Sequence, residues 1–454
     1  MSPVRRRLVS TAMRSAPQEM SLSTLHGRST SMRHWLAHAE RLHPMSIEMG
    51  LERVGRVAAR LGLRFDMPVI SVTGTNGKGS VCAMLEAMLL AAGYRTGVYL
   101  SPQLLRFNER CRIDGVDVDD DALALHMAAV EGARQGVQLT QFEFTTLAIL
   151  RLISRCRVDV AVLEVGLGGR LDAVNIVDAD CAVLTSIGLD HLDVLGPDRH
   201  AIAREKAGLA RAGRPFIVAE PRPPSNLAVE LSLRGAWPVR FGRDYCVRVQ
   251  GDGSWSWHGG STHITGLPLP MLPGSFQIGN AAAAVAALVT LSDRLSVSVD
   301  AVSRGLISAR LPGRLQRIGE EPQVVVDVGH NAHAARAISR TLKERTGSGR
   351  VKAVFGAMKD KDIDAIFRTM SATVQDWYLC ELDSPRGAAA PQLAHSLKRC
   401  CGIGPKGTFP DPVAALSAVR CDAATEDLVI VFGSFLAVGP VLANLPQFAA
   451  ARAA

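Results

Sequence analysis

The 454-residue chain is 47% hydrophobic and 21% charged, close to an ordinary globular protein, which excludes a disordered chain, a collagen and a small disulfide scaffold. Its length favours two or three domains. Half of the net charge of +8 sits in the first 30 residues, five arginines against the single acid Glu19, and only 5% of residues are aromatic, so neither a basic platform nor base stacking points to nucleic acid.

Residues 1–31 read as an extension outside the folded domains. They are Arg- and Ser-rich and acid-poor, like a transit peptide in composition, or they precede a working start at Met20 or Met32. From Met67 onward, β-rich runs alternate with amphipathic helical patterns. Pro68-Val69-Ile70-Ser71-Val72 predicts a strand, followed by a Gly-rich turn and a helix over 80–92 that Gly93 ends. Residues 96–100, 158–163, 181–187 and 215–219 predict further strands. Such continuous apolar runs suit a parallel sheet covered on both faces, and their alternation with helices implies βαβ units. Residues 236–270, rich in Trp, Gly, Ser and Thr, predict β-hairpins that form a small excursion. Asn280 is placed to cap an Ala-rich helix over 281–291.

A boundary is expected at Leu311-Pro312-Gly313-Arg314, with a fresh series of strands at 324–327, 351–355, 377–379 and 428–432. The longest apolar stretch, 428–442, is interrupted by Gly433, Ser434, Gly439 and Pro440, so it reads as strand, turn and helix and not as a membrane span. The expected fold class is α/β. A P-loop NTPase-like doubly wound parallel sheet with a small β excursion occupies 32–311, and a smaller Rossmann-like α/β domain occupies 312–454.

The strongest chemical signal is Gly74-Thr75-Asn76-Gly77-Lys78-Gly79-Ser80, between a strand and a helix. Its glycines let successive N–H groups face one anion, the helix start adds positive potential, Lys78 can reach the β- and γ-phosphates, and Ser80 can hold Mg²⁺. The spacing departs from the strict G-x-x-x-x-G-K-[ST] loop, because Val72 stands where its first Gly belongs and Gly79 separates Lys78 from the hydroxyl. Glu164, at a strand end, suits Mg²⁺ or simple solvation. His191 reads equally as a metal ligand or a turn histidine, and Lys206, between Glu205 and Ala207, reads by itself as a surface lysine. Nine scattered cysteines without a Cys-x-x-Cys pair suggest reduced thiols in a cytosolic setting and argue against a zinc site.

Taken together, these motifs resemble the folylpolyglutamate synthase family, a branch of the Mur-type ATP-dependent amide-forming ligases. The likeness is carried by Gly74 to Ser80, by Ser101-Pro102-Gln103-Leu104, and by Leu163-Glu164-Val165-Gly166-Leu167-Gly168-Gly169-Arg170-Leu171-Asp172. It continues through Leu189-Asp190-His191, Arg204-Glu205-Lys206-Ala207-Gly208, Leu311-Pro312-Gly313-Arg314, Asp327-Val328-Gly329-His330-Asn331 and Gly433-Ser434-Phe435, in the family's order from about residue 32 onward. Departures are Gln103 and Phe276 for a usual His, Val174 for Thr, and Val328, Gly329 and Ala332 for Gly, Ala and Pro. The first bears on pterin binding, and none removes a proposed metal or phosphate group.

The resemblance implies that ATP is bound by Gly74, Thr75, Asn76, Gly77, Lys78, Gly79, Ser80, Gln277, Asn280, Arg314 and Asp327. It implies two Mg²⁺ ions near Ser80, Glu164 and His191, with Lys206 as a carbamylated ligand, and catalytic roles for Lys78, His330 and Arg314. Substrates would meet Ser101, Leu104, Thr140, Phe142, Asp190, His330 and Ser434. For Phe142 and Leu104, flanking the pterin and plain core packing both stand open. Thr140, Phe142, Glu143 and Pro385-Arg386-Gly387 look like the bifunctional bacterial type. Such an enzyme joins L-glutamate to dihydropteroate and to reduced folates through an acyl phosphate. A folylpolyglutamate synthase alone, or a cell-wall Mur-type ligase, is the alternative. The implied partners are dihydropteroate or folate and L-glutamate, with no nucleic acid and no membrane, in a cytoplasmic monomer.

Overall fold

The computed structural model describes residues 31–345 and 349–445, so nearly all of the expected extension lies outside the described residues. The first sheet contains β1 Val69–Thr73, β2 Thr96–Tyr99, β3 Cys111–Ile113, β4 Val116–Asp117, β5 Val160–Glu164, β6 Cys181–Leu184, β7 Pro215–Val218 and β8 Trp237–Arg240. Their order is β4-β3-β2-β5-β1-β6-β7-β8. The run from β2 to β8 is parallel, and β3 and β4 return antiparallel at one edge. Every residue of β1, β5 and β6 is buried, which is why their sequences are apolar without alternation.

Trp237–Arg240 departs from expectation: it is the eighth strand of the main sheet and not part of the excursion. Its open edge is blunted, because Pro238 has no N–H and the Arg240 amide donates to Asp244 Oδ2 at 2.8 Å. The excursion is the antiparallel sheet β9 Tyr245–Val249, β10 Trp255–Gly259 and β11 Thr262–Leu267. Trp255 and Trp257 are buried, and the Trp257 indole donates to the Ala282 carbonyl at 3.2 Å. They seat the small sheet on the helix Gln277–Thr290. That helix begins earlier than its Ala-rich run suggests, so Asn280 lies within its first turn instead of capping it.

The second sheet comprises β12 Gln316–Glu320, β13 Gln323–Asp327, β14 Val351–Phe355, β15 Asp376–Cys380, β16 Gly407–Phe409 and β17 Leu428–Phe432. Its order is β12-β13-β17-β14-β15-β16, parallel except for β12. Residues 428–442 form β17, a turn at Gly433 and part of the helix Phe435–Ala443, as the breaks in the apolar run predict. Among the described residues no helix is long and apolar enough to cross a membrane.

Candidate active site

Site residues gather at the carboxyl ends of the parallel strands, where open α/β sheets bind ligands. β1 lies between β5 and β6, so the loops after all three strands meet. The first is the phosphate loop. It needs glycine at Gly74 and Gly77, whose φ angles are +151° and +90°. A Cβ on Gly74 would collide with the Thr185 side chain, and one on Gly77 would stand 2.6 Å from Asn280 Oδ1. The helix Lys78–Ala91 then starts without a side-chain cap, leaving first-turn N–H groups for an anion.

Two amides of the loop are used otherwise than the sequence suggests. Thr75 N donates to Ser186 O at 2.9 Å and Asn76 N to Ser186 Oγ at 3.0 Å. They pin the loop to the end of β6, so the anion cradle is narrowed to the helix start. Lys78 Nζ folds back to the Gly74 carbonyl at 3.2 Å. Gln277 Nε2 donates to Ser80 Oγ at 3.3 Å, and Asn280 Nδ2 to Gln277 Oε1 at 2.8 Å. Both expected nucleotide contacts of that helix thus lie beside the loop.

Glu164 ends β5, is 5% exposed and accepts the Ser101 amide at 3.1 Å. Burial raises its carboxyl, against the pull of Lys78 and Arg314. A solvated strand-end glutamate is therefore excluded. Arg314 comes from the link between the two sheets, and its Nη2 and Glu164 Oε2 each approach to 3.6 Å of where a Gly79 Cβ would be. Its guanidinium also lies 5.7 Å from the Phe435 ring centre.

The loop after β6 carries Asp190 and His191, which meet the second sheet. Lys361, six residues beyond β14, places Nζ 2.7 Å from Asp190 Oδ1 and 3.3 Å from His191 Nε2. His330 Nε2 is 3.5 Å from Asp190 Oδ2, and His330 Nδ1 is 2.9 Å from the Val328 carbonyl. That carbonyl only accepts, so the Nδ1 proton is fixed and Nε2 is the atom free to exchange one. Asn331 donates to Asp190 Oδ2 at 2.8 Å and exchanges amide hydrogen bonds with Asn76 at 3.0 and 3.1 Å. Burial pushes the Asp190 carboxyl up, but His330, Lys361 and His191 prevail and hold it well below the usual range. Burial also brings His191 down to about 4, despite Asp190. Asp190, His191 and His330 have ligating atoms within 4.8 Å of one another.

The expected metal ligands therefore fall into two neighbouring groups, Ser80 with Glu164 beside the phosphate loop and His191 with Asp190 and His330 across from it. Lys206 is 2% exposed, which corrects its reading as a surface residue. Burial, aided by Lys78, lowers its amine to about 7, opposed by Asp190 and Asp172.

Several expected substrate residues, and Asp327 of the expected nucleotide set, do structural work. Thr140 caps the helix Gln141–Arg155 in a reciprocal box with Glu143, which also binds Arg53 Nη2 at 2.9 Å. Leu104 is half-buried and packs against the core of the second sheet. Asp327 turns its oxygens to the amides of Leu315 and Gly329, at 2.9 and 2.7 Å. Ser434 caps its helix by accepting from Leu436 N at 3.1 Å. Phe142 lies over the loop after β5, where a Cβ on Gly166 would meet its Cζ at 2.5 Å. Lys361 and His333 escape the sequence motifs, although His333 Nδ1 lies 2.8 Å from Asn76 Nδ2. The signal that could have found Lys361 is the strand-end rule that found Glu164.

Comparison with known proteins agrees with this layout. The family model of the Mur ligase middle domain matches residues 72–288, and that of the Mur ligase glutamate ligase domain matches 313–435. The dihydrofolate synthase/folylpolyglutamate synthase of Escherichia coli K12 is 46% identical over 409 residues, covering 90% of this chain and 94% of its own. The solved structure of E. coli FolC with DHPP and ADP superposes with a TM-score of 0.87 at 44% identity, covering 94% of this chain and 99% of that one. A bifunctional folylpolyglutamate synthase/dihydrofolate synthase with Mn, AMPPNP and L-glutamate bound gives 0.85 at 44% identity, covering 92% and 98%.

Proposed function

This chain belongs to the Mur ligase family, in its dihydrofolate synthase/folylpolyglutamate synthase branch, and from that premise we propose how its residues divide the work. It is an ATP-dependent ligase that joins L-glutamate to dihydropteroate and to the γ-carboxyl of reduced folates. The observation that carries the assignment of roles is the meeting of two sets of strand ends. The phosphate loop after β1 and the loop after β6 face the loops after β13 and β14 across one cleft, tied by Asn76 to Asn331 and by Asp190 to Lys361.

A free carboxylate is a poor electrophile, so it must be activated before an amine can displace oxygen. The substrate carboxylate attacks the γ-phosphorus of ATP, giving an acyl phosphate and ADP. Lys78, Arg314 and the first-turn amides of the helix Lys78–Ala91 offset the repulsion between the two anions, each such preorganised contact being worth ~2–4 kcal/mol. Glutamate's amine, once deprotonated, attacks the acyl carbon and phosphate leaves. His330 and Asp190 hold that amine, and His330 Nε2 is the atom able to take its proton. Closure of the second domain keeps water from the acyl phosphate.

The donor set fits a hard divalent cation: Glu164 is buried with one amide partner, and the Ser80 hydroxyl, in the first turn of the helix after the phosphate loop, accepts from Gln277 Nε2. Ser80 and Glu164 would hold one Mg²⁺ ion, and His191 with Lys206 a second. Bound there, magnesium supplies charge neutralisation on the phosphates. Lys206 would serve as a carbamate: its neutral amine nitrogen bonds to the carbon of CO₂ and one proton is released. An amine lowered to about 7 supports this, since it is substantially neutral at physiological pH. A cytoplasmic monomer completes the proposal.

The test is ATP-dependent incorporation of labelled L-glutamate, run separately with dihydropteroate and with a reduced folate. Product is expected from both and should vanish in Lys78→Ala with the fold intact. No product from either substrate would reject the reading. Lys206→Ala should lose activity and regain part of it with short carboxylic acids, and full activity without them would eliminate the carbamate.

A further inference from the structure

The phosphate loop meets the second domain through Asn76, whose backbone and side chain serve different domains. The Asn76 N–H donates to Ser186 Oγ at 3.0 Å, and its carbonyl accepts from Thr185 Oγ1 at 2.6 Å and from Ser186 Oγ at 3.0 Å. These bonds stay within the first domain. The side chain reaches across the border instead. Nδ2 donates to Asn331 Oδ1 at 3.0 Å and to His333 Nδ1 at 2.8 Å, and Oδ1 accepts from Asn331 Nδ2 at 3.1 Å.

Donor chemistry fixes the direction of each member. The Asp190 carboxylate only accepts, so Asn331 turns Nδ2 to it, and Asn331 Oδ1 also accepts the Ala334 amide at 2.8 Å. An amide nitrogen only donates, so His333 Nδ1 carries a lone pair and the ring proton sits on Nε2. Burial favours this neutral ring, opposed by Glu220 and aided by Arg336 and Arg199, and lowers the imidazole below its ordinary value. The ring is also braced from the first domain. A Cβ on Gly188 would stand 3.1 Å from both Cβ and Cγ of His333. Gly188 is in turn gripped by the phosphate loop: Thr75 Oγ1 donates to its carbonyl at 3.1 Å and accepts its amide at 2.9 Å. His333 thus contacts Asn76 directly and Thr75 through one glycine.

We propose that His333 is a positioning residue for glutamate ligation. By accepting from Asn76 it latches the second domain onto the phosphate loop, so that the two halves of the glutamate site meet over the nucleotide. The proposal rests on the ligase reading above, in which Asp190 of the first domain and His330 of the second hold the glutamate amine together. Lys78 and the first-turn amides, by contrast, grip the nucleotide from the first domain alone. Loosening the latch therefore weakens glutamate binding and spares ATP. A binding-competent state populated tenfold less raises the apparent constant of the ligand that needs it about tenfold. At saturating glutamate the ligand itself draws the domains together, so kcat is kept. His333 acts through Asn76 and not on the reacting atoms.

Steady-state ligation by the full chain tests this, with ATP and L-glutamate varied in turn at saturating dihydropteroate. His333→Leu keeps most of the bulk but offers no acceptor, leaving an Asn76 N–H without its partner. Its KM for L-glutamate should rise about five- to tenfold, while kcat and the KM for ATP stay within about twofold. A kept kcat also shows that the variant is folded. His333→Asn should return the KM for glutamate to within about twofold of the wild type, because its Oδ1 falls where Nδ1 stood, whereas packing alone would favour Leu. In an Asn76→Ala background, His333→Leu should add less than about twofold, since the group it serves is gone. An unchanged KM for glutamate in His333→Leu, an equal loss for ATP, no rescue by Asn, or a full effect without the Asn76 side chain would overturn the latch. With an active wild type, these results leave the ligase reading standing; a wild type that makes no product would reject that reading and the latch with it.

Discussion

Glu86 offers a quantitative test of how the helix that follows the phosphate loop is held. It is 2% exposed, and Arg112 Nη1 lies 3.3 Å from its Oε2. Oε1 and Arg112 Nε are both buried without a hydrogen-bond partner. Burial raises the carboxyl from 4.5 to about 7, against the pull of Arg112 and with the push of Asp117. The ion pair opposes this shift and loses, because one 3.3 Å contact does not replace the lost water shell. The folded chain therefore binds this proton more tightly than the unfolded chain does. Its contribution is fully present below pH 4.5 and is lost as pH rises through about 7. At about 1.4 kcal/mol per unit, ~3 kcal/mol disappears over that window. Glu86→Gln cannot titrate, so the change in its stability between pH 5 and 8 should differ from the wild type's by about 2–3 kcal/mol. Urea unfolding followed by tryptophan fluorescence measures this, since Trp35, Trp237, Trp255 and Trp257 all precede the domain link. The comparison rests on pH dependence, so any fixed cost of the amide cancels. Parallel pH profiles for the two proteins would refute the assignment of a proton to buried Glu86.

Three further outcomes are expected. Gly74→Ala puts a methyl group against Thr185 at a φ of +151°, and strain of ~1–3 kcal/mol in the loop should weaken ADP binding about tenfold or more in calorimetry while unfolding stays cooperative. Unchanged affinity would mean that the loop relaxes freely. Lys352, 4% exposed, sits 2.7 Å from Asp422 and 3.6 Å from Asp376 and Asp427. Lys352→Met should cost about 2–3 kcal/mol by urea titration, below the usual range for a buried pair because Asp422 is half exposed, and Asp427→Asn should recover part of it. A neutral Lys352→Met would show that water already serves these carboxylates. Lys361→Ala removes the ammonium that ties Asp190 to the second domain, so kcat/KM for glutamate should fall about tenfold or more while ADP affinity is kept. Equal losses in both would place Lys361 in nucleotide binding instead.

Much of this protein is legible in its local chemistry. Uninterrupted apolar runs, glycine and proline punctuation and the strand–glycine–lysine–helix signature each act within about ten residues. They locate the buried strands, the phosphate loop, Glu164 and the break of 428–442 into strand and helix. The whole motif order then points to the ligase family. Lys206 looks like an exposed lysine because its helix has no marked apolar stripe, and only packing from the loop after β5 removes its water. Asn280 looks like a cap because the helix signal before it, in Gln277-Ile278-Gly279, is weak.

What tertiary structure alone decides is which distant groups meet. Asp190 with Lys361, Asn76 with Asn331, and Leu104 against the second core join segments more than 100 residues apart. The physical reason is that backbone preference and turn chemistry are short-range energies written in neighbouring residues. Desolvation, and the partner a buried charge acquires, depend on the sum of all long-range packing, which no short window contains.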